Sequence, residues 1–262
     1  MLLMIKLPKK IDYKKAKQFF KSIGLGFLNN SSINEIKKKK DHRYDLKVHK
    51  PEIIDLYRIY KFITLNKRIN VLEYGTGYSS LVIAKALNEN KRRYLKNIKD
   101  LRFEKKFFLS IIDNEKKFIN ISKKRIKQKV KLKNFKFFYS ENHMTTFNGR
   151  LCSQYVNHPT LNPDFIYLDG PDQFNIKRKI NGMTLNNHEM SPMSCDILKY
   201  ENLLCPGTII LVDGRSLNSR FLRDNFKRRW KIIEDQFHDQ TVFYLNEKTL
   251  GYFNTQQLKF YK

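Results

Sequence analysis

Between Arg68 and Leu245, short apolar runs alternate with stretches whose apolar residues recur every three or four positions. Strands laid side by side with helices between them read this way. The runs cover Ile69 to Tyr74 (INVLEY), Lys106 to Asp113 (KFFLSIID), Phe135 to Ser140 (FKFFYS), Asp164 to Gly170 (DFIYLDG) and Gly207 to Gly214 (GTIILVDG). Two more, Lys231 to Phe237 and Gln240 to Glu247, close the series. They predict an α/β, Rossmann-like, doubly wound sheet that is mostly parallel. Only His238 and Asp239 separate the last two runs, too few residues for a crossover helix, so these should form an antiparallel hairpin at the sheet edge.

Each of the first five runs ends on a small or polar residue. Open α/β sheets bind ligands at the carboxyl ends of their strands, so topology alone brings Glu73, Asp113, Ser140, Asp169 and Asp213 toward one crevice. Upstream, Ile53, Leu56, Tyr57, Tyr60 and Ile63 recur at helical spacing behind Pro51, which suits a first helical turn. Residues 1–66 therefore read as a helical N-terminal appendage, and residues 67–262 as the main domain. The spacing of Phe221, Leu222, Phe226 and Trp230 predicts a helix docked on the sheet, its cationic residues facing solvent.

The turn after the first strand carries the chemistry. Gly75 and Gly77 let the backbone approach a ligand closely, and Ser79 and Ser80 supply hydroxyls at the start of the next helix. A dinucleotide fingerprint would need a third glycine where Ser80 stands, which argues against a nicotinamide or flavin. Glu73 argues further. A carboxylate about 4 to 5 Å from a pyrophosphate meets repulsion of several kcal/mol at an effective dielectric of about 20, and the same energy becomes attraction beside an ammonium or sulfonium. The turn favours a cationic ligand, and Asp113 after the second strand can accept two hydroxyls of a ribose.

Taken in order, VLEYGTGYSS, SIID, PDFIYLDG and LLCPGTIILVDG resemble the motifs of the class I S-adenosylmethionine-dependent methyltransferases, over roughly Arg68 to Leu245. The segment from Asp164 to Gly214 looks closest to the O-methyltransferase-like, small-molecule branch. The resemblance implies an enzyme using S-adenosyl-L-methionine, with Glu73, Gly75 and Gly77 at the methionine part of the cofactor. It also implies Asp113 on the ribose and Asp169 near the transferring methyl. Asp169 and Asp213 resemble the paired Asp ligands of the cation-dependent members, but Gly214 stands where those enzymes carry an Asn. Asp213 therefore reads as a polar lining residue, with a magnesium ion held by Asp169 and Asp213 the less favoured alternative.

Two segments depart from the pattern. The basic stretch 88–106 is longer than the connection expected there; it reads as a tolerated surface insertion or as a flap recruiting an anionic substrate. The segment after the third strand, with His143, Arg150 and His158, reads as a loop overhanging the crevice. Asp172, Gln173 and His188, after the fourth strand, belong to the expected acceptor pocket. The catalytic candidates are thus Asp169 and His188, and the substrate-binding candidates Asp172, Gln173, Asp213 and His143. Methyl transfer is an in-line displacement in which alignment alone can supply about 7 to 11 kcal/mol, so few further groups are required.

Composition sets the outer bounds. The 262 residues, 41% hydrophobic, suffice for a core. No apolar run approaches the ~20 residues of a bilayer span, and the early charges of MLLMIKLPKK leave no secretory core, so the expected location is the cytoplasm. Cys152, Cys195 and Cys205 lack the spacing of a disulfide framework or zinc knuckle and read as reduced thiols, with a shared metal at Cys195, Cys205 and His188 the minor alternative. The formal charge of +27 favours anionic partners. The expected acceptor is a small molecule or glycan, anionic if the charge is selected for, and methylated at oxygen. An RNA methyltransferase using the basic surface and a nicotinamide-dependent oxidoreductase are the alternatives; the oligomeric state is open.

Overall fold

The computed structural model describes residues 5–29, 52–130 and 132–262. The basic run 35–43 and Pro51 lie outside the described residues. The described chain begins with α1 (Tyr13–Ser22) and α2 (Ile53–Leu65), followed by β1 (Asn70–Tyr74), α3 (Tyr78–Tyr94), β2 (Phe108–Asp113), α4 (Lys116–Lys129) and β3 (Phe135–Tyr139). It continues through β4 (Asn142–Phe147), β5 (Arg150–Tyr155), β6 (Phe165–Leu168), β7 (Ile176–Lys177), α5 (Asp196–Tyr200) and β8 (Ile209–Asp213). The last elements are α6 (Ser216–Asn225), β9 (Trp230–Asp235), β10 (Gln240–Leu245) and α7 (Gly251–Tyr261).

Seven strands form one sheet in the order β3-β2-β1-β6-β8-β10-β9. The first five run parallel, while β10 is antiparallel to both β8 and β9. All seven apolar runs are strands, and the terminal hairpin is present as its short connection requires. Side chains alternate across the sheet: Val71, Leu109, Ile111, Tyr167 and Leu211 face one core with α1 to α4, and Leu72, Tyr74, Ile112, Leu168 and Val212 face a second with α5 and α6. Ile53, Leu56, Tyr57, Tyr60 and Ile63 are all buried in the first of these cores. The N-terminal helices therefore pack as a layer on the sheet's own face.

Two sequence expectations and one alternative are corrected. The segment expected as a loop after the third strand is mostly β4 and β5, a hairpin that forms a second, three-stranded sheet with β7. Its turn is Asn148-Gly149, with φ of 50° and 75°, the left-handed pair that a two-residue hairpin demands. The expected helix through Trp230 stops at Asn225, because Trp230 opens β9 and stacks on Phe226 at 4.8 Å.

The basic stretch 88–106 is not a flap over the crevice. Its residues 88–94 are the end of α3. Its remainder folds onto a small core where Ile98, Leu101 and Phe107 meet Ile69, Leu258 and Tyr261. That core lies at the amino ends of the strands, opposite the crevice. There α7, which the sequence pattern did not reveal, closes the sheet: Tyr261 donates to Asp164 (2.7 Å), whose carboxylate also takes the amides of Ile69 and Asn70.

Candidate functional site

At the carboxyl edge, β1 leads through Gly75 to Gly77 into α3. Gly75 has φ +86° and lies so close to the exit of β6 that a Cβ there would stand 2.8 Å from the Asp169 carbonyl oxygen. A Cβ on Gly170 would stand 2.3 Å from the Gly75 nitrogen. The two strand exits thus touch backbone to backbone, which only glycine permits.

Glu73 is fully buried. Its Oε1 accepts from the Ser79 hydroxyl at 2.5 Å, while Oε2 is buried with no partner among the described residues. Burial pushes its carboxyl from the usual 4.5 up to about 8; the hydroxyls of Ser79 and Ser80 oppose this, and the charges of Asp169 and Asp113 add to it. Ser80 turns its hydroxyl to Thr76 (2.8 Å). Asp113, the last residue of β2, accepts from the Glu115 amide at 2.6 Å. Burial raises it to about 8 as well, with the neighbouring charge of Asp172 contributing.

Asn114 joins the exits of β2 and β6. Its side chain accepts from the Asp172 amide (3.0 Å) and donates to the Asp172 and Asn175 carbonyls (3.0 and 3.3 Å). Asp172 caps the turn that follows by accepting from the Phe174 amide, and burial raises its carboxyl. Asp169 is half exposed, with Arg215 Nε 3.6 Å from Oδ1. Arg215 also donates to the carbonyls of Asp169 (2.7 Å) and Pro171 (3.2 Å), fixing the β6 exit to the β8 exit.

Asp213, ending β8, accepts the Tyr167 hydroxyl on Oδ2 (2.6 Å) and the Gln240 amide on Oδ1 (3.1 Å). Burial raises it to about 6. With both oxygens so used, Asp213 suits a lining role, and among the described residues no group of three or more His, Cys, Asp or Glu could hold a metal ion. That statement covers Cys195, Cys205 and His188 too; Cys152 and Cys195 are free and buried.

The other expected site residues have partners of their own. Gln173 spends its amide on the carbonyls of Leu185, Asn187 and Met190, so it shapes the loop that carries His188. The His188 ring rests on Phe174 at 4.6 Å. His143, on β4 of the second sheet, pairs with Glu141 at 2.9 Å. Of the other histidine in that segment, Nε2 meets the Tyr74 hydroxyl at 2.7 Å, and burial lowers the His158 ring's basicity.

Sequence reasoning missed Asn114, Tyr167, Arg215 and Gln240, whose roles depend on contacts between strands far apart in sequence. A single cue existed: Arg215 and Asn114 each directly follow, within two residues, a strand-ending Asp.

The strand order with its one reversed strand, the glycine turn after β1 and the carboxyl groups at the ends of β1, β2, β6 and β8 together make this a Rossmann-like α/β fold with its candidate site at the carboxyl edge of the sheet. Searches against family models and against curated proteins give no match. Among solved structures, the chain is similar to the O-methyltransferase TomG from Streptomyces achromogenes, solved with SAM (15% identity, 92% of each chain, TM-score 0.42). It is also similar to an O-methyltransferase from Bacillus cereus, solved with SAH (12%, 92% of each chain, 0.41). A third, an SAH-bound methyltransferase from Podospora anserina, is 12% identical over 92% of this chain and 99% of that one, with a TM-score of 0.46. No helix among the described residues is long and apolar enough to cross a membrane.

Proposed function

We propose that the protein is an S-adenosylmethionine-dependent methyltransferase that methylates a small-molecule or glycan-like acceptor at oxygen. The observation that carries this reading is the orphaned, buried Oε2 of Glu73 beside the glycine turn. An unpaired buried carboxylate is costly unless a cation answers it, and this one sits where a phosphate would be repelled. The donor brings both an ammonium and a sulfonium, and supplies an electrophilic methyl.

In this reading Glu73 and Ser79 hold the amino-acid end of the donor, with Gly75 and Gly77 giving it room. Asp113 takes the ribose hydroxyls, and Asp169 lines the position of the methyl. Asp172 and Asp213 border the acceptor. The edge is rich in carboxyl groups although the chain is strongly basic, so the cationic excess is not concentrated there. The charge excess therefore offers no support for an RNA acceptor at this crevice.

The test is transfer of label. With tritiated-methyl S-adenosylmethionine and the small-molecule and glycan fractions of a deproteinised cell extract, the wild type should label an acceptor, and Glu73→Gln should not. Absence of label from every fraction, together with absence of donor binding, would count against the reading.

A further inference from the structure

At the first turn of α2, Asp55 leans over the edge of the sheet, on the face that carries Glu73 and Tyr167. Its Oδ1 accepts from Gln240 Nε2 at 3.3 Å, and the same amide nitrogen donates to Asp213 Oδ1 at 3.1 Å. The amide's orientation is fixed by Arg58, one turn further along α2. Arg58 Nε donates to Gln240 Oε1 at 2.6 Å, and a guanidinium can only donate. Gln240 is therefore forced to aim its two N–H bonds at two carboxylates, one on α2 and one on β8. Arg58 in turn is anchored on Asp235 (2.8 Å), which also engages His238.

The two carboxylates differ in what remains to them. Both oxygens of Asp213 are engaged, whereas the hydrogen bond of Asp55 among the described residues falls on Oδ1 and leaves Oδ2 without one. Asp213 ends a strand beside the exit of β6, where Asp169 stands. A group held next to that point, with one oxygen bound to Gln240 and the other without a partner among the described residues, is placed to take a proton from an acceptor brought to the methyl.

We propose that Asp55 is the general base of the reaction, positioned by Gln240 and Arg58, and that the acceptor group is an alcohol or phenol hydroxyl. This rests on the methyltransferase reading and deepens it. Asp55 removes the hydroxyl proton while the acceptor oxygen forms its bond to the methyl carbon. The carbon–sulfur pair stays on sulfur, so a sulfonium becomes a neutral thioether and the proton ends on Asp55. A carboxylate or thiolate acceptor has no proton to lose and would need no such base.

The charge environment agrees with the geometry. Burial is the first cause that raises Asp55 to about 7; Asp213, Glu52 and Asp169 add to it, and Arg58 opposes. Such a group is half ionised near neutrality, where a general base works best.

The test combines a titration with a turnover. In carbon-13 NMR spectra of the full-length protein, one Asp carboxyl should titrate near 7, vanish in Asp55→Asn, and move toward the ordinary range in Asp213→Asn. Asp55→Asn should bind S-adenosylmethionine as the wild type does and label the extract acceptor at least a hundredfold more slowly. Gln240→Leu should slow labelling less. An Asp55 carboxyl titrating near 4, or labelling by Asp55→Asn at the wild-type rate, would overturn the assignment. A wild type that neither binds the donor nor labels anything would instead remove the methyltransferase reading beneath it.

Discussion

Replacing Glu73 with Gln should weaken S-adenosylmethionine binding by a hundredfold or more while making the free protein more stable. The two effects share one cause. At about 4 Å and an effective dielectric of about 20, an opposite unit charge is worth about 4 kcal/mol, and tenfold in affinity corresponds to about 1.4 kcal/mol. Losing most of that attraction spans the expected range. Without the donor, however, the carboxylate is a burden. Its folded-state carboxyl lies near 8 against the usual 4.5, so between those values the unfolded chain holds fewer protons than the folded one. Stability from this group falls as pH rises through that window. Asp113, raised from 3.8 to about 8, acts in the same direction.

Glu73→Gln removes that ionisation. Thermal unfolding followed from pH 5 to pH 8 should show a smaller decline for the variant than for the wild type. Calorimetric titration with the donor should show the affinity loss. Equal donor affinity in the variant would place the cation elsewhere. Such an exchange of stability for binding is common at functional sites.

The second large effect belongs to Gly75→Ala. The new methyl would lie 2.8 Å from the Asp169 carbonyl oxygen and 2.9 Å from its carbon, at a φ of +86° that side chains rarely adopt. Left-handed strain costs of order 1–3 kcal/mol, and overpacking typically adds about 1–3 kcal/mol. A loss of about 2–6 kcal/mol is therefore expected by chemical denaturation. The neighbour is backbone and cannot rotate away, so any folded fraction should have the exits of β1 and β6 pushed apart and bind the donor poorly. Gly149→Ala makes a useful contrast, because its φ is also positive, at +75°, yet nothing lies within 4 Å. It should lose only the strain contribution and keep donor binding.

Much of the sheet was legible in the chain because buried parallel strands are continuous apolar runs, and INVLEY, DFIYLDG and GTIILVDG are such runs. The hairpin of β9 and β10 was legible from the shortness of its connection. The β4–β5 hairpin was not read, although Asn148-Gly149 is a strong turn signal. The flanking HMTTF and RLCSQY alternate only weakly, and only Met144, Cys152 and Tyr155 among their apolar residues are deeply buried. The helix α7 escaped because GYFNTQQLKFY has no clear apolar face; its burial comes from Leu258 and Tyr261 alone among its apolar residues.

For the site, local motifs revealed the residues at the strand ends and nothing that reaches them from afar. Glu73, Gly75 and Asp113 could be placed because each adjoins its strand. Asp55 lies in IIDLYRIY, where the apolar period dominates, and its meaning appears only once Gln240, 185 positions later, is brought beside it. Gln173 shows the reverse: its position suggested contact with a ligand, and its amide is spent on three loop carbonyls.

The central claim is that the buried carboxylates at Glu73 and Asp113 receive a cationic donor. It is tested most directly by titrating the wild-type protein with S-adenosylmethionine at pH 7 in two buffers of different ionisation enthalpy, with NAD as the comparison. At that pH both carboxyls are largely protonated when free, and a cation beside Glu73 favours its ionised form. The expected result is binding of S-adenosylmethionine with release of up to about one proton per carboxyl engaged, and no comparable binding of NAD. Absence of binding at millimolar S-adenosylmethionine, or NAD binding as tightly, would contradict the account.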